Sequence, residues 1–127
     1  MATQYTNAIE TLKDLFPEYE IKDTENIELA YVVYADFATY IVEMIEKNEE
    51  PQLVKRVFDF INSEFNDEKS DAEFLNLLQV EFFEHFVQSM KCINLARKTL
   101  NGEAKVWFEK TFEYTGLVTS KDSKSEP

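Results

Sequence analysis

Residues that break helices are scarce in this chain, and their scarcity constrains its fold more than any other feature. Two glycines and three prolines occur in 127 residues. Between these breaks the apolar residues recur with helical spacing, and no stretch alternates cleanly as a half-buried strand does. The sequence therefore predicts an all-α fold: a single compact domain of about six helices in antiparallel pairs, arranged as a bundle or a short HEAT-like stack. Residues 1–116 are expected to form this domain, and residues 117–127, which are rich in Ser and Lys, a flexible tail.

The breaks and the apolar spacing together set the expected helix boundaries. Pro17 should end the first helix, and Pro51 should begin the third, because proline fits the first helical turn. A capping box is expected at Ser70, with Glu73 as its partner at the third helical position. The predicted helices cover residues 3–16, 23–47 (from Asp23 or Thr24), 51–65, 71–90, 92–100 and 103–114.

The fourth predicted helix is apolar almost all round, so it is expected at the centre of the fold. Its few polar residues form a stripe that we expect to face solvent: Glu81, Glu84, His85 and Gln88. In the sixth predicted helix, Trp107 is expected to be the main core anchor. Cys92 is expected to be a buried or half-buried thiol.

The composition excludes several classes of function. A formal net charge of −12 argues against a general nucleic-acid binder, because phosphate contacts need clustered Lys and Arg. The scarcity of glycine leaves no Gly-rich phosphate loop. A single cysteine and a single histidine exclude an intrachain disulfide, multi-Cys zinc sites and His-pair metal motifs. We therefore predict no catalytic residue, no metal site and no cofactor.

The sequence also bears on location. No apolar run approaches the length of a membrane span, and the first residues lack the pattern of a signal peptide. These observations predict a cytoplasmic protein that does not bind membranes.

The negative charge is concentrated in the first four predicted helices. Residues 1–90 contain 20 acidic and 6 basic residues, a net charge of −14. Opposite its core face, the second helix mixes acidic, aliphatic and aromatic residues: Glu25, Leu29, Val32, Asp36, Tyr40 and Glu43. Carboxylates beside exposed apolar groups are typical of a protein-binding surface. The alternative is that the fold buries this face under the first or sixth helix.

Short motifs along the chain carry a family resemblance. They are Tyr34-Ala35-Asp36-Phe37-Ala38, Val57-Phe58-Asp59-Phe60-Ile61, Leu77-Leu78-Gln79-Val80-Glu81-Phe82-Phe83-Glu84, and Ala96-Arg97-Lys98 followed by Trp107. This pattern resembles a family of small, acidic, all-helical bacterial proteins of uncharacterised function. Some of its members look like immunity proteins of polymorphic toxin and contact-dependent growth inhibition systems. The resemblance covers about residues 10–115 and implies no catalytic residues.

The resemblance and the acidic charge together predict an immunity protein that binds and neutralises a basic toxin domain, such as a ribonuclease. The expected contacts are Glu25, Asp36, Tyr40 and Glu43, followed by Asp59, Glu64, Asp67 and Glu68 on the third helix and the loop after it. A non-enzymatic adaptor or regulatory domain using the same face is the first alternative. A small hydrolase or metal-dependent enzyme is the second. Homodimerisation through Leu53, Phe60 or the stripe of Leu29 and Val32 also stays open.

Overall fold

The computed structural model describes residues 2–21 and 29–116, and every regular element in these ranges is helical. The α-helices are α1 (Ala8–Leu15), α2 (Ala30–Lys47), α3 (Pro51–Phe65), α4 (Ala72–Leu78), α5 (Glu84–Phe86), α6 (Met90–Thr99) and α7 (Gly102–Thr111). A 3₁₀ turn, Tyr5–Asn7, precedes α1. Two π-helical segments also occur: π1, Gln79–Phe83, joins α4 to α5, and π2, Phe112–Gly116, follows α7.

Counting α4, π1 and α5 as one helix, these residues form six helices in a single compact domain, which confirms the all-α prediction. None of the helices in the described part of the chain has the length and apolar character needed to cross a membrane. The predicted tail, residues 117–127, lies outside the described ranges.

The prolines mark helix boundaries as expected. α1 ends at Leu15, two residues before Pro17, and α3 begins with Pro51 and ends at Phe65, which are its predicted limits. Asn48 and Glu50, between α2 and α3, have left-handed backbones with φ of 57° and 50°. These two residues turn the chain back on itself so that α3 packs against α2.

The start of α2 differs from its prediction. The predicted start at Asp23 or Thr24 lies outside the described residues, but Leu29 is extended, with φ −97° and ψ 91°. The prediction of a helix that runs without a break through Leu29 to Lys47 is therefore wrong. The carbonyl of Leu29 accepts the first hydrogen bonds of α2, from the N–H groups of Val32 and Val33.

The capping box predicted at Ser70 is also wrong, because the Ser70 hydroxyl is bonded elsewhere and Ser70 is not the N-cap of the helix. The Ser70 hydroxyl donates to the backbone carbonyl of Glu64 instead of accepting from the helix. Asp71 occupies the N-cap position of α4, and its Oδ2 accepts from the N–H of Tyr5 at 2.7 Å. These contacts tie the N-terminal segment and the end of α3 to the start of α4.

The boundary between the fourth and fifth predicted helices lies earlier than expected. The helical segment that includes α5 ends at Phe86 rather than at Met90, and α6 begins at Met90 rather than at Cys92. Ser89 caps α6, since its Oγ accepts from the N–H of Cys92 at 3.3 Å.

α2 lies at the centre of the fold, in contact with α1, α3, α6 and the helix formed by residues 72–86. Its fully buried rings, Tyr34 and Phe37, both pack edge-on against Phe82 of π1. The Tyr34 hydroxyl donates to the carbonyl of Ala8 at 2.7 Å, which fixes α1 on α2. Phe82, Phe83 and Phe86 are all fully buried, which confirms that the fourth predicted helix belongs in the core.

The polar stripe predicted on this helix holds only in part. Glu84 and His85 are half-buried and Gln88 is exposed, whereas Glu81 is buried with 8% of its surface exposed. Glu81 lies within π1, whose wider turns shift the residues that follow relative to an ideal α-helix. Burial raises the pKa of the Glu81 carboxyl, with the nearby His85 acting in the opposite direction.

Replacing Glu81 with Gln is expected to stabilise the protein at neutral pH. The folded pKa of Glu81 is raised above its ordinary value of 4.5, so stability is lost as pH rises through this folded pKa. Glutamine carries no charge to desolvate, so Glu81→Gln should have a higher urea midpoint than the wild type at pH 7. The difference should vanish near pH 4, where the carboxyl is protonated. Equal midpoints at pH 7 would contradict this expectation, and Glu84→Gln serves as the half-buried control.

One further expectation about the core, for Trp107, is wrong, and the open alternative of a homodimer loses two of its residues. Trp107 is 37% exposed, and the buried anchor of α7 is its neighbour Phe108. Leu53 and Phe60 are buried against other helices, so they cannot form a homodimer surface. Leu29 is 53% exposed, so homodimerisation through the stripe of Leu29 and Val32 stays an open alternative.

Candidate functional site

The outer face of α2 is partly open to solvent, with its acidic side chains exposed and Val32 half-buried. Asp36 and Glu43 are exposed and Tyr40 is half-buried. Their spacing of four and three residues places all three on one side of the helix. Glu25, predicted to share this face, lies outside the described residues.

A tyrosine from the segment after α1 completes this face. The Tyr19 ring lies 5.3 Å from the ring of Tyr40 and 4.7 Å from that of Phe37, measured between centroids. Burial raises the pKa of Tyr19, and the negative charge of Asp36 adds to the effect. We call Tyr19, Asp36, Tyr40 and Glu43 the α2 patch.

The two carboxylates of the α2 patch differ in their ionic partners. Lys47 Nζ lies 3.7 Å from Glu43 Oε2, in an exposed pair one helical turn apart. Exposed pairs of this kind contribute little to stability and are readily exchanged. No cation in the described ranges lies within ion-pair distance of Asp36. Asp36 thus offers a partner a carboxylate that no described Lys, Arg or His side chain neutralises.

Asp59 on α3 adds a carboxylate near Phe16, the residue that follows α1. Phe16 links the two helices, with its ring 5.2 Å from Phe37 of α2 and 5.8 Å from Phe60 of α3. Asp59 and Phe16 line the same pocket, which has a volume of about 280 Å³. Asp59 also pairs with Lys55 at 2.9 Å in an exposed contact. The packing around Phe16 thus places Asp59 on the same side of the fold as Tyr19.

Glu64 does not belong to any exposed surface, and its prediction as a partner contact is wrong. The residue is 1% exposed. Its Oε1 accepts from the Thr3 N–H at 3.0 Å, and its Oε2 accepts from the Thr3 hydroxyl at 2.8 Å. Sequence spacing alone could not reveal this role, because the partner lies 61 residues away.

Replacing Glu64 with Leu should lower the free energy of unfolding by about 1–3 kcal/mol, because it leaves the buried N–H and hydroxyl of Thr3 without an acceptor. Urea unfolding followed by circular dichroism would measure the loss. The same change at the exposed Glu68 is the matched control, expected to alter stability by no more than about 0.5 kcal/mol. Similar losses in both variants would refute a specific role for the Thr3 contact.

Asp67 and Glu68 lie apart from the α2 patch. Both belong to the turn after α3, beyond Phe65, whereas Asp59 lies near the middle of that helix. At a rise of about 1.5 Å per residue, the six helical steps from Asp59 to Phe65 already separate Asp59 from the start of this turn by about 9 Å. Asp67 Oδ1 accepts from the Lys69 N–H at 2.8 Å, and this bond lowers the pKa of the Asp67 carboxyl. Asp67 therefore has a local role in the turn, and Glu68 is exposed beside it.

A second open surface lies between the two π-helical segments. Trp107 and Tyr114 line a groove of about 610 Å³ together with residues of π1, π2, α4 and α5. Gln79 of π1 donates through Nε2 to the Thr111 hydroxyl at 3.1 Å, which joins the two walls. We call this surface the Trp107 groove. No sequence signal marks it, since it depends on π segments that helical periodicity does not reveal.

The structure also places the other side chains considered for metal binding or catalysis, His85 and Cys92. In the described part of the chain, no three His, Cys, Asp or Glu residues are grouped so that they could hold a metal ion. His85 lies beside Glu81, with Nδ1 4.0 Å from Oε1. Cys92 is buried, as predicted, and burial raises the pKa of its thiol, which disfavours the reactive thiolate.

Comparison with known proteins gives one match. A family model described as a domain of unknown function matches residues 9–114. No curated protein and no solved structure matches the chain.

Proposed function

The chain belongs to that family, Domain of unknown function (DUF7674), and we propose that this member is an immunity protein that binds a basic toxin domain through the α2 patch. The observation that carries the proposal is the exposure of Asp36 and Glu43 beside the rings of Tyr19 and Tyr40. Acidic groups around an aromatic centre are what a tight complex with a basic protein requires.

The charge of the chain supports fast recognition of such a partner. A net charge of −12 attracts a cationic protein over distances beyond direct contact. Asp36 and Glu43 then pair with its Arg or Lys residues, and the tyrosine rings supply contact area with little loss of side-chain entropy. Charge thus guides the encounter, and the aromatic groups stabilise the complex.

A nuclease toxin fits this description because nucleases bind phosphates through basic residues. Covering those residues blocks the groove that holds the nucleic acid, so inhibition needs no catalytic residue in this chain. We propose that the protein acts in the cytoplasm, where such a toxin would reach its nucleic-acid substrate. A ribonuclease is the toxin class that we favour.

Affinity capture from cells of the organism that carries the gene tests this proposal. The full chain is the bait, and washes are made at low and high salt. We expect to recover a basic protein whose isolated toxin domain binds the chain and loses its nuclease activity when bound. High salt should weaken the complex, because screening reduces the contribution of exposed charges.

Two results would overturn the immunity proposal. One is recovery of a basic protein without toxic or nuclease activity, which would identify the chain as an adaptor or regulatory domain. The other is a captured toxin whose binding is unchanged when the α2 patch is altered. A toxin gene directly before the gene for this chain would support immunity over the adaptor function.

A further inference from the structure

Large aromatic side chains are exposed in the Trp107 groove. Trp107 is 37% exposed and Tyr114 is 80% exposed. By contrast, nine phenylalanine and tyrosine side chains in the described ranges are less than 2% exposed. The groove is wide enough for an inserted side chain, at about 610 Å³. Aromatic groups left open beside a groove are typical anchors of protein interfaces.

The Trp107 ring already holds a cation. Lys110 Nζ lies 4.5 Å from its centroid, which is within the range of a cation–π contact. Glu84 and Glu113 line the same groove. The groove thus combines a cation-binding ring with two carboxylates, and this chemistry favours a positively charged occupant.

Arg97 of α6 makes a related contact, with a carboxylate of α7 and an aromatic ring of π2. The guanidinium of Arg97 donates through Nε and an Nη to the two carboxylate oxygens of Glu109, at 3.0 and 3.1 Å. Its Cζ lies 4.6 Å from the centroid of the Phe112 ring. Arginine suits a ring beside a carboxylate better than lysine, because its planar fork can stack and form two hydrogen bonds at once.

We propose that the Trp107 groove binds an arginine side chain presented by a protein partner. The guanidinium takes the place of the Lys110 ammonium on the Trp107 ring, and its charge is balanced by Glu84 and Glu113. This inference rests on the proposed function in one respect, because it assigns the arginine to the same basic partner. The groove and the α2 patch share no residue, so each can be tested separately.

Fluorescence gives a direct test, because Trp107 is the single tryptophan of the chain. The probe is an acetylated and amidated Leu-Arg-Leu peptide, titrated into the full chain. The control peptide has citrulline, a neutral analogue of the same shape, in place of arginine. We expect a saturable change in emission with a Kd of about 1 mM for the arginine peptide. The citrulline peptide should give no saturable change.

Two variants test the roles of the charged residues. Glu84→Gln with Glu113→Gln should weaken binding of the arginine peptide about fivefold or more, since two charge contacts are lost. Lys110→Ala should tighten it about two- to fivefold, because the ring face no longer has to be vacated. If Lys110 had only a structural role, replacing it with Ala would not tighten binding of the arginine peptide. Circular dichroism checks that both variants remain folded.

Equal responses to the two peptides, or binding that neither variant changes, would overturn the inference. Its failure can be told apart from failure of the proposed function. Asp36→Lys with Glu43→Lys should bind the peptide as the wild type does. If the basic partner binds and the peptide does not, the groove assignment fails alone. If the peptide binds but no basic toxin uses the α2 patch, the immunity proposal fails alone.

Discussion

Reversing the charges of Asp36 and Glu43 together is expected to weaken binding of the basic partner by about 100-fold or more. Each substitution to Lys replaces an attraction with a repulsion, and like charges across an interface cost several kcal/mol. Since about 1.4 kcal/mol corresponds to a tenfold change in affinity, two such sites readily give this effect. Both side chains are exposed, so the variant should keep its fold.

Surface-based binding kinetics with the captured toxin domain would measure this effect. The association rate should fall, and its dependence on salt should become weaker, because the field that guides the encounter is reduced. The matched control is Glu68→Lys with Glu73→Lys, which has the same net charge but leaves the α2 patch intact. An equal loss of affinity in the control would show that the interface includes the turn after α3, or that the effect comes from net charge alone.

Truncating Phe82 to Ala is expected to lower the free energy of unfolding by about 3–5 kcal/mol. Its fully buried ring lies 6.2 Å from Tyr34, 6.0 Å from Phe37 and 5.9 Å from Phe86, measured between centroids. Removing it would leave a cavity where α2 meets π1, and the surrounding rings cannot close that space without shifting both elements. A loss of this size is a large fraction of the total stability of a typical domain.

Chemical unfolding in urea, followed by circular dichroism, would measure the loss. Tyr114→Ala is the control, because it removes an aromatic ring of similar size that is 80% exposed. That variant should differ from the wild type by no more than about 0.5 kcal/mol. A small loss for Phe82→Ala would show that the core around π1 repacks easily, contrary to the close contacts seen there.

The parts of the fold that local rules control were predicted well. α3 begins at Pro51, as predicted, because proline is confined to the first turn of a helix, and this preference does not depend on the rest of the chain. Burial of the fourth predicted helix followed from its apolar residues on nearly every side. Prediction failed where two distant segments meet, as at Glu64, whose carboxylate accepts hydrogen bonds from Thr3, 61 residues away.

The candidate site shows the same division. The face of Asp36, Tyr40 and Glu43 could be identified from spacing alone, because residues three and four apart share a side of a helix. Tyr19 could not, since the irregular segment that carries it has no periodicity to place it against α2. The Trp107 groove was missed because π1 and π2 change the direction of side chains that an ideal helix would place elsewhere.

The sequence by itself determined the helical class, the boundaries set by proline, the apolar centre and the sign of the charge. These properties depend on each residue and its near neighbours along the chain. Only the tertiary structure decided that Glu64 is buried on Thr3, that Phe108 rather than Trp107 anchors α7, and that the acidic residues on the outer face of α2 stay exposed. The physical reason is that burial is a property of pairs of segments: an amphipathic helix shows which side is apolar, but its neighbours determine which of its residues are covered.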